Sequence, residues 1–278
     1  MAAPRSERLT KWLIAGPPLL FLLAFFLLPS LIMALASFRY PGEFGGLAPL
    51  AARAGEEAGL TFENYALFFG DWIYAQIFAK SLGIAALTTF ACLLMAYPLA
   101  MLIARSPKRR RDFMVLLVIL PFASNFLVRV YAWMIILGPM DLLFTRFAVI
   151  VGMVYVHLPF MILPLYTNLE KHDPALLDAA QDLGANAWNT FWRVTFPLSL
   201  PGVFSGAALV FIPVLGMFAI PELLGGKDDW MVGNMIKESF LGTRDWPFGS
   251  MLSLMLTLAV LAIAGAAALY ARKGAPSA

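Results

Sequence analysis

The chain has 278 residues, of which 61% are hydrophobic and only 13% charged, with a mean hydropathy of +0.79. Charged residues make up about a quarter of an ordinary soluble domain, so this balance excludes one and indicates an integral membrane protein. The lone cysteine, Cys92, excludes an internal disulfide and a cysteine metal cluster, and a net charge of +3 matters less than which loops carry it.

Crossing a bilayer core takes about 20 helical residues at about 1.5 Å each, and six stretches are long enough. The first, 12–37, has no charge between Lys11 and Arg39 and follows Arg5, Arg8 and Lys11. Basic residues before an apolar run, with Ala34, Leu35 and Ala36 as a small-x-small site, have the look of a signal peptide. The run of about 22 residues exceeds the usual 7–15, so retention as a signal-anchor helix is expected. An external loop, 38–79, follows and contains an irregular patch, GGLAPLAARAGEEAG. The second span, 80–104, ends at Arg105, and Lys108, Arg109, Arg110 and Arg111 fill the turn to the third, 113–137.

Arg129 interrupts the third span. At about 16 residues in, it lies roughly 24 Å from the inner surface, close enough to the outer interface to snorkel. It serves either as a gate or subunit contact or as a plain anchor. Asn125, one turn earlier, is expected to hydrogen-bond across helices, while Tyr131 and Trp133 offer aromatic faces nearby. A short connection, PMDLLFTR, leads to the fourth span, 147–168. Its His157, near mid-depth, is read as an interhelical hydrogen bond first and a substrate contact second. The fifth span, 201–221, carries Met217 and Phe218, read as packing or as an apolar constriction, and is ended by Glu222 at its outer mouth. Glu222 is either a contact for a cationic substrate or a loop acid. The sixth span is 248–270.

Twelve of the twenty Lys and Arg residues fall on one set of loops and termini, while the opposite loops hold seven against eleven acidic residues. By the positive-inside rule the first set is cytoplasmic. The expected fold is therefore all-α and polytopic: a transmembrane domain over 12–271 with six helices, and cytoplasmic termini at 1–11 and 272–278.

The only sizeable cytoplasmic loop, 170–200, has well-marked helix ends. Asp173 followed by Pro174 is an N-cap with proline at the first helical position, and Gly184 is placed for a left-handed C′ residue. Asn186 caps a second helix whose Trp188, Phe191, Trp192 and Thr195 share one face, with Pro197 and Pro201 expected to stop it at the membrane. Such a pair either lies in the headgroup layer or, through its exposed alanines and glycine turn, lets another protein's backbone approach.

The spacing Asp178, Ala179, Ala180, then Gly184, Val194 and Pro197 resembles the EAA loop of ABC importer permeases, Glu-Ala-Ala-x3-Gly-x9-Ile-x-Leu-Pro. It departs from that pattern in Asp for Glu, Val for Ile and Phe for Leu. The blocks TFENYALFF, LPFASNFLVRVYAWMIILG, GMVYVHLPFMILPLY, IPELLGG, MVGNMIKESF and RDWPFGS are similar to the spermidine/putrescine-type subfamily over most of the chain after residue 60. That subfamily usually has a longer segment where this chain has PMDLLFTR. The resemblance implies an inner-membrane permease subunit, probed by a cytoplasmic ABC ATPase dimer at 178–197. It also implies a second, related permease, an extracytoplasmic substrate-binding protein and surrounding lipid, with no role for nucleic acid. Polyamine is the implied substrate; an opine, an amino-acid derivative or a phosphonate is the alternative.

The chain itself carries no P-loop. The nearest string, Gly225, Gly226, Lys227 and Asp228, lacks the hydroxyl that holds magnesium. ATP and Mg are thus expected to be used by the partner ATPase, with no cofactor in this chain. An intramembrane enzyme is disfavoured by the absence of H-E-x-x-H or serine–histidine signatures. A self-contained channel or secondary transporter is the remaining rival, and copurification with an ATPase separates the two.

Overall fold

The computed structural model describes the backbone of residues 5–50 and 59–273, and these form helices joined by turns and two isolated β-bridges. The outermost residues of both termini, and 51–58 of the external patch, lie outside the described residues. Five helices are long and apolar enough to cross a membrane, and a bent pair raises the number to six.

Residues 1–74 with 235–278 make one compact unit, and 75–234 make another. In the first, span one (Trp12–Ala36) contains a π-turn at Leu23–Leu27. Pro29 has no N–H for the usual ladder, the register widens by one residue, and the Ser30 hydroxyl donates to the Phe26 carbonyl at 2.7 Å. The chain then turns through Ser37, whose hydroxyl meets that of Tyr65 at 2.7 Å, while the Asn64 amide donates to the carbonyls of Ser37 and Arg39. Span six (Trp246–Ala266) packs against the second half of span one.

The second unit holds the remaining spans. Span two starts at Trp72, not near Lys80, and runs unbroken to Ala104. No helix breaker separates 72 from 80, and an amphipathic lysine is compatible with a helix that emerges from the membrane. Span three, by contrast, is not continuous. It consists of Lys108–Ala123 and Phe126–Met140, bent by 91°. Pro121 opens a 3₁₀ turn, Ser124 and Asn125 are extended, and the Asn125 side chain caps the second half by accepting from the Leu127 N–H at 2.8 Å. Asn125 therefore makes a local cap in place of the expected cross-helix bond. Arg129 sits one turn past this break, so a depth counted along a straight helix does not apply to it.

Span four (Arg146–Leu169) is the most buried of the spans, and it packs along the start of span five. A Cβ at Gly202 would lie 2.7 Å from Asn168 Cβ and 3.1 Å from the Pro164 carbonyl; one at Gly206 would lie 2.7 Å from Met161 Sδ. Two glycines four residues apart thus let the helices approach at backbone distance, as small-xxx-small contacts do in membranes.

Candidate functional site

The loop between spans four and five begins with the helix Pro174–Asp182. Asp173 caps it, its carboxylate accepting from the Ala175 N–H at 3.0 Å. At the other end Gly184 has φ +78°. Its N–H donates to the Gln181 carbonyl at 2.8 Å, and the Ala185 N–H donates to the Ala180 carbonyl at 3.0 Å. This is a complete Schellman closure, which satisfies two carbonyls that the helix would leave open. Asn186 then caps the next helix by accepting from the Asn189 N–H at 2.8 Å.

That next helix does not stop at Pro197. It continues as Ala187–Leu215, so the loop's second helix and span five are one body. The five residues Phe191–Thr195 form a π-turn, and the shifted ladder accommodates the missing N–H of Pro197 in the first turn of Phe196–Leu215. Trp188 stacks edge-on against Trp192, and Trp192 in turn contacts Phe191 and Phe196. The tip exposes two large apolar side chains, Leu183 at 88% and Trp188 at 69%, beside the exposed Asp182 and Asn186. Asp178 and Ala179 are exposed, Ala180 and Val194 half-buried, and Pro197 exposed.

Polar groups tie the base of this loop to the spans. Arg111, at the start of span three, pairs with Glu170 at 2.8 Å. The Ser199 hydroxyl donates to the Phe196 carbonyl at 2.8 Å, so its oxygen accepts from the Tyr97 hydroxyl at 2.7 Å. In the sequence, the signal for the second of these pairs is a tyrosine and a serine inside apolar spans.

At the far end, span five stops at Leu215 and does not reach 221. Gly216 turns, Met217 and Phe218 are non-helical, and a separate short helix, Ala219–Leu224, follows. Glu222 lies exposed in the first turn of that helix and so does not end span five. The joint is fixed on both sides. Asn234 donates to the Phe218 carbonyl at 2.9 Å and accepts from the Met231 N–H at 3.1 Å. Gly152 of span four admits Leu224 and Ile220, since a Cβ there would lie 2.5 Å and 3.1 Å from them. The next turn is held by Asp229, which is buried, accepts from the Gly226 N–H at 3.0 Å and pairs with Arg146 at 3.3 Å. Lys80 donates to the Asp228 carbonyl at 2.6 Å, and Ser81 accepts from the Val232 N–H at 2.9 Å.

The remaining candidates separate. His157 is 2% exposed, and its Nδ1–H donates to the Met153 carbonyl of its own helix at 2.8 Å, so the bond is intrahelical. Trp133 packs edge-on against Tyr155, whereas Tyr131, two residues from Arg129 and hence on another face, is half exposed. Arg129 forms no ion pair with Glu222 or Asp141, and its Nε and Nη1 are buried without a hydrogen-bond partner. The structure thus gathers Met217, Phe218 and Glu222 at one joint and leaves His157 to helix packing.

Residues 96–273 match the family described as binding-protein-dependent transport system inner membrane component. The chain is 43% identical over 216 residues to the spermidine/putrescine transport system permease protein PotB of Haemophilus influenzae, covering 72% of this chain and 75% of that one. With PotB of Escherichia coli strain K12 the identity is 40%, covering 71% and 78%. A solved bacterial ABC transporter that imports the acidic polysaccharide alginate has the same fold, with a TM-score of 0.67 at 17% identity, covering 97% of this chain and 98% of that one.

Proposed function

From the fact that the chain belongs to the family of binding-protein-dependent transport system inner membrane components, we propose that it is the permease through which a polyamine enters the cell. It is a permease subunit of an ABC importer, and such an importer works with an ATPase, a second permease and a substrate-binding protein. Our reading assigns the loop around Asp178, Ala179, Ala180, Gly184, Val194 and Pro197 to a cytoplasmic ATPase dimer. It puts both termini on that same side.

The observation that carries the docking role is the capped, closed turn with two large apolar side chains exposed at its tip. Burying a side chain such as Leu183 or Trp188 in a partner's groove contributes about 1.5–3 kcal/mol, and the two caps and the Schellman closure hold that tip in one geometry. Because the tip's second helix runs on into span five, a displacement of the loop by ATP-driven closure of the ATPase would move the span directly. ATP and Mg are used in the partner; this chain supplies the lever and part of the path.

The polyamine assignment rests on the named relatives, supported by the acidic balance of the outer loops and by an exposed carboxylate, Glu222, at the joint. Arg129 would oppose a polycation in the path. Its Nε and Nη1 are enclosed by this chain's own residues, which supports a place in the packing of span three outside the path. The test is ATP-driven uptake of labelled spermidine by the intact complex in proteoliposomes, with the binding protein outside. Uptake that spermidine or putrescine competes for is the expected result; preference for an anionic or neutral solute overturns the substrate, and an assembly that holds no ATPase overturns the docking role.

A further inference from the structure

Behind the loop lies a hollow of about 590 Å³, walled by the end of span two, the helix Pro174–Asp182 and the beginning of span five. Its volume is that of a small-molecule site, which typically spans about 300–1,000 Å³. Three features of its lining point to one kind of occupant.

The first is a pair of unmade hydrogen bonds. Thr190 and Thr195 are 8% and 4% exposed, both line the hollow, and neither hydroxyl has a partner. Helical hydroxyls elsewhere in the chain, those of Ser81, Thr89, Ser253 and Thr257, donate to the carbonyl four residues back. The exceptions among the described threonines are these two and Thr88, which lies in span two away from the hollow. The second feature is charge: Arg105 is the one ionisable residue of the lining, and it forms neither an ion pair nor a side-chain hydrogen bond among the described residues. The third is polarity. Met101 and Phe191 give the same hollow an apolar wall, and Gln181 adds an amide.

We propose that this hollow binds an anionic phosphate ester with an apolar body, its phosphate held by Arg105 and, after a χ1 turn that brings them out of the protein interior, by the hydroxyls of Thr190 and Thr195. A guanidinium with hydroxyl donors suits phosphate oxygens, and Met101 and Phe191 suit the carbon skeleton beyond them. Two sources supply this chemistry: an anionic phospholipid, whose headgroup would reach Arg105 directly after the last turn of span two, or a soluble phosphate ester. Either occupant braces the helix carrying Gln181 against span two. That regulatory consequence rests on the docking role of the loop, whereas the binding itself does not.

The test is native mass spectrometry of the full chain in neutral detergent, offered phosphatidylglycerol, phosphatidylcholine or glycerol 3-phosphate. One phosphatidylglycerol should be retained per chain, with phosphatidylcholine held about tenfold less well. Arg105→Gln should reduce that retention about tenfold, as expected for one charge-assisted hydrogen bond, and Arg105→Lys should restore most of it. Thr190→Val combined with Thr195→Val, with Arg105 intact, should weaken retention by a smaller factor than Arg105→Gln does. Arg109→Gln, in the neighbouring basic run but outside the hollow, should change nothing. Binding of glycerol 3-phosphate alone, with the same dependence on Arg105, identifies the soluble source and supports the site. Equal losses for Arg105→Gln and Arg109→Gln, or no retention of any phosphate ester, overturn the proposal and leave a water-filled hollow.

Discussion

Gly184→Val isolates the backbone contribution of the loop's closing turn. A Cβ built at Gly184 meets nothing within 4 Å, so a side chain there clashes with no neighbour. What remains is the φ of +78°, a left-handed conformation that costs an L-residue about 1–2 kcal/mol. At 1.4 kcal/mol per factor of ten, the closed turn should lose about 5- to 30-fold in population relative to open forms. The N–H groups of Gly184 and Ala185 are engaged in the two closing hydrogen bonds, so their hydrogen exchange should accelerate by the same factor. Gly184→Asn should show a smaller effect, because asparagine tolerates this region. The assay is exchange mass spectrometry on the segment 176–189, paired with copurification of the ATPase. Exchange unchanged in Gly184→Val would refute the turn argument. Faster exchange with undiminished ATPase binding and transport would refute the docking argument and favour a loop that rests on the lipid surface.

Other perturbations probe the remaining contacts. Gly206→Leu should separate spans four and five and give an aggregated protein in detergent. Gly206→Ala should lower the melting temperature by an overpacking penalty of about 1–3 kcal/mol, and an unchanged melt would show that Met161 yields freely. Asp229→Ala strands the Gly226 N–H and the Arg146 guanidinium and should cost about 1–3 kcal/mol locally, read as faster amide exchange over 226–232 with the spans unaffected. Glu222→Gln should reduce polyamine uptake while assembly stays intact; normal uptake removes Glu222 from the path. Reporter fusions after Lys108 and Asn186 should read cytoplasmic and one after Gly226 external, and an external signal at 186 would overturn the sidedness.

The loop was legible because its determinants are local. Asp173 with Pro174, Gly184 and Asn186 each fix a backbone dihedral or satisfy a nearby N–H, and each does in the structure what its residue type suggests. The number and approximate course of the spans followed from apolar length alone. Where spans break was not legible, because a uniformly apolar run carries no periodicity to interrupt. Ser124 and Asn125 were the signal for the bend in span three, yet an asparagine at apparent membrane depth reads as a cross-helix contact until the cap is seen. Gly216 carries no break signal either, since glycine is tolerated inside membrane helices, and Pro197 reads as a terminator because a π-turn leaves no composition signature. Contacts such as Tyr97 with Ser199 and Asp229 with Arg146 join residues far apart in sequence, and no local rule pairs them.

The glycine contact between spans four and five bears on how a stroke crosses the protein. Interfaces made of interdigitated side chains can slip by rotamer changes, absorbing part of any push as rearrangement within the seam. Here Gly202 and Gly206 face the Pro164 and Met161 carbonyls as well as the Asn168 and Met161 side chains, and the carbonyls have no rotamers to give. The same span four receives Ile220 and Leu224 at Gly152 near its opposite end. Under the proposed docking role, a push on the loop would pass from span five to span four through this seam with less rearrangement than a seam of side chains alone allows.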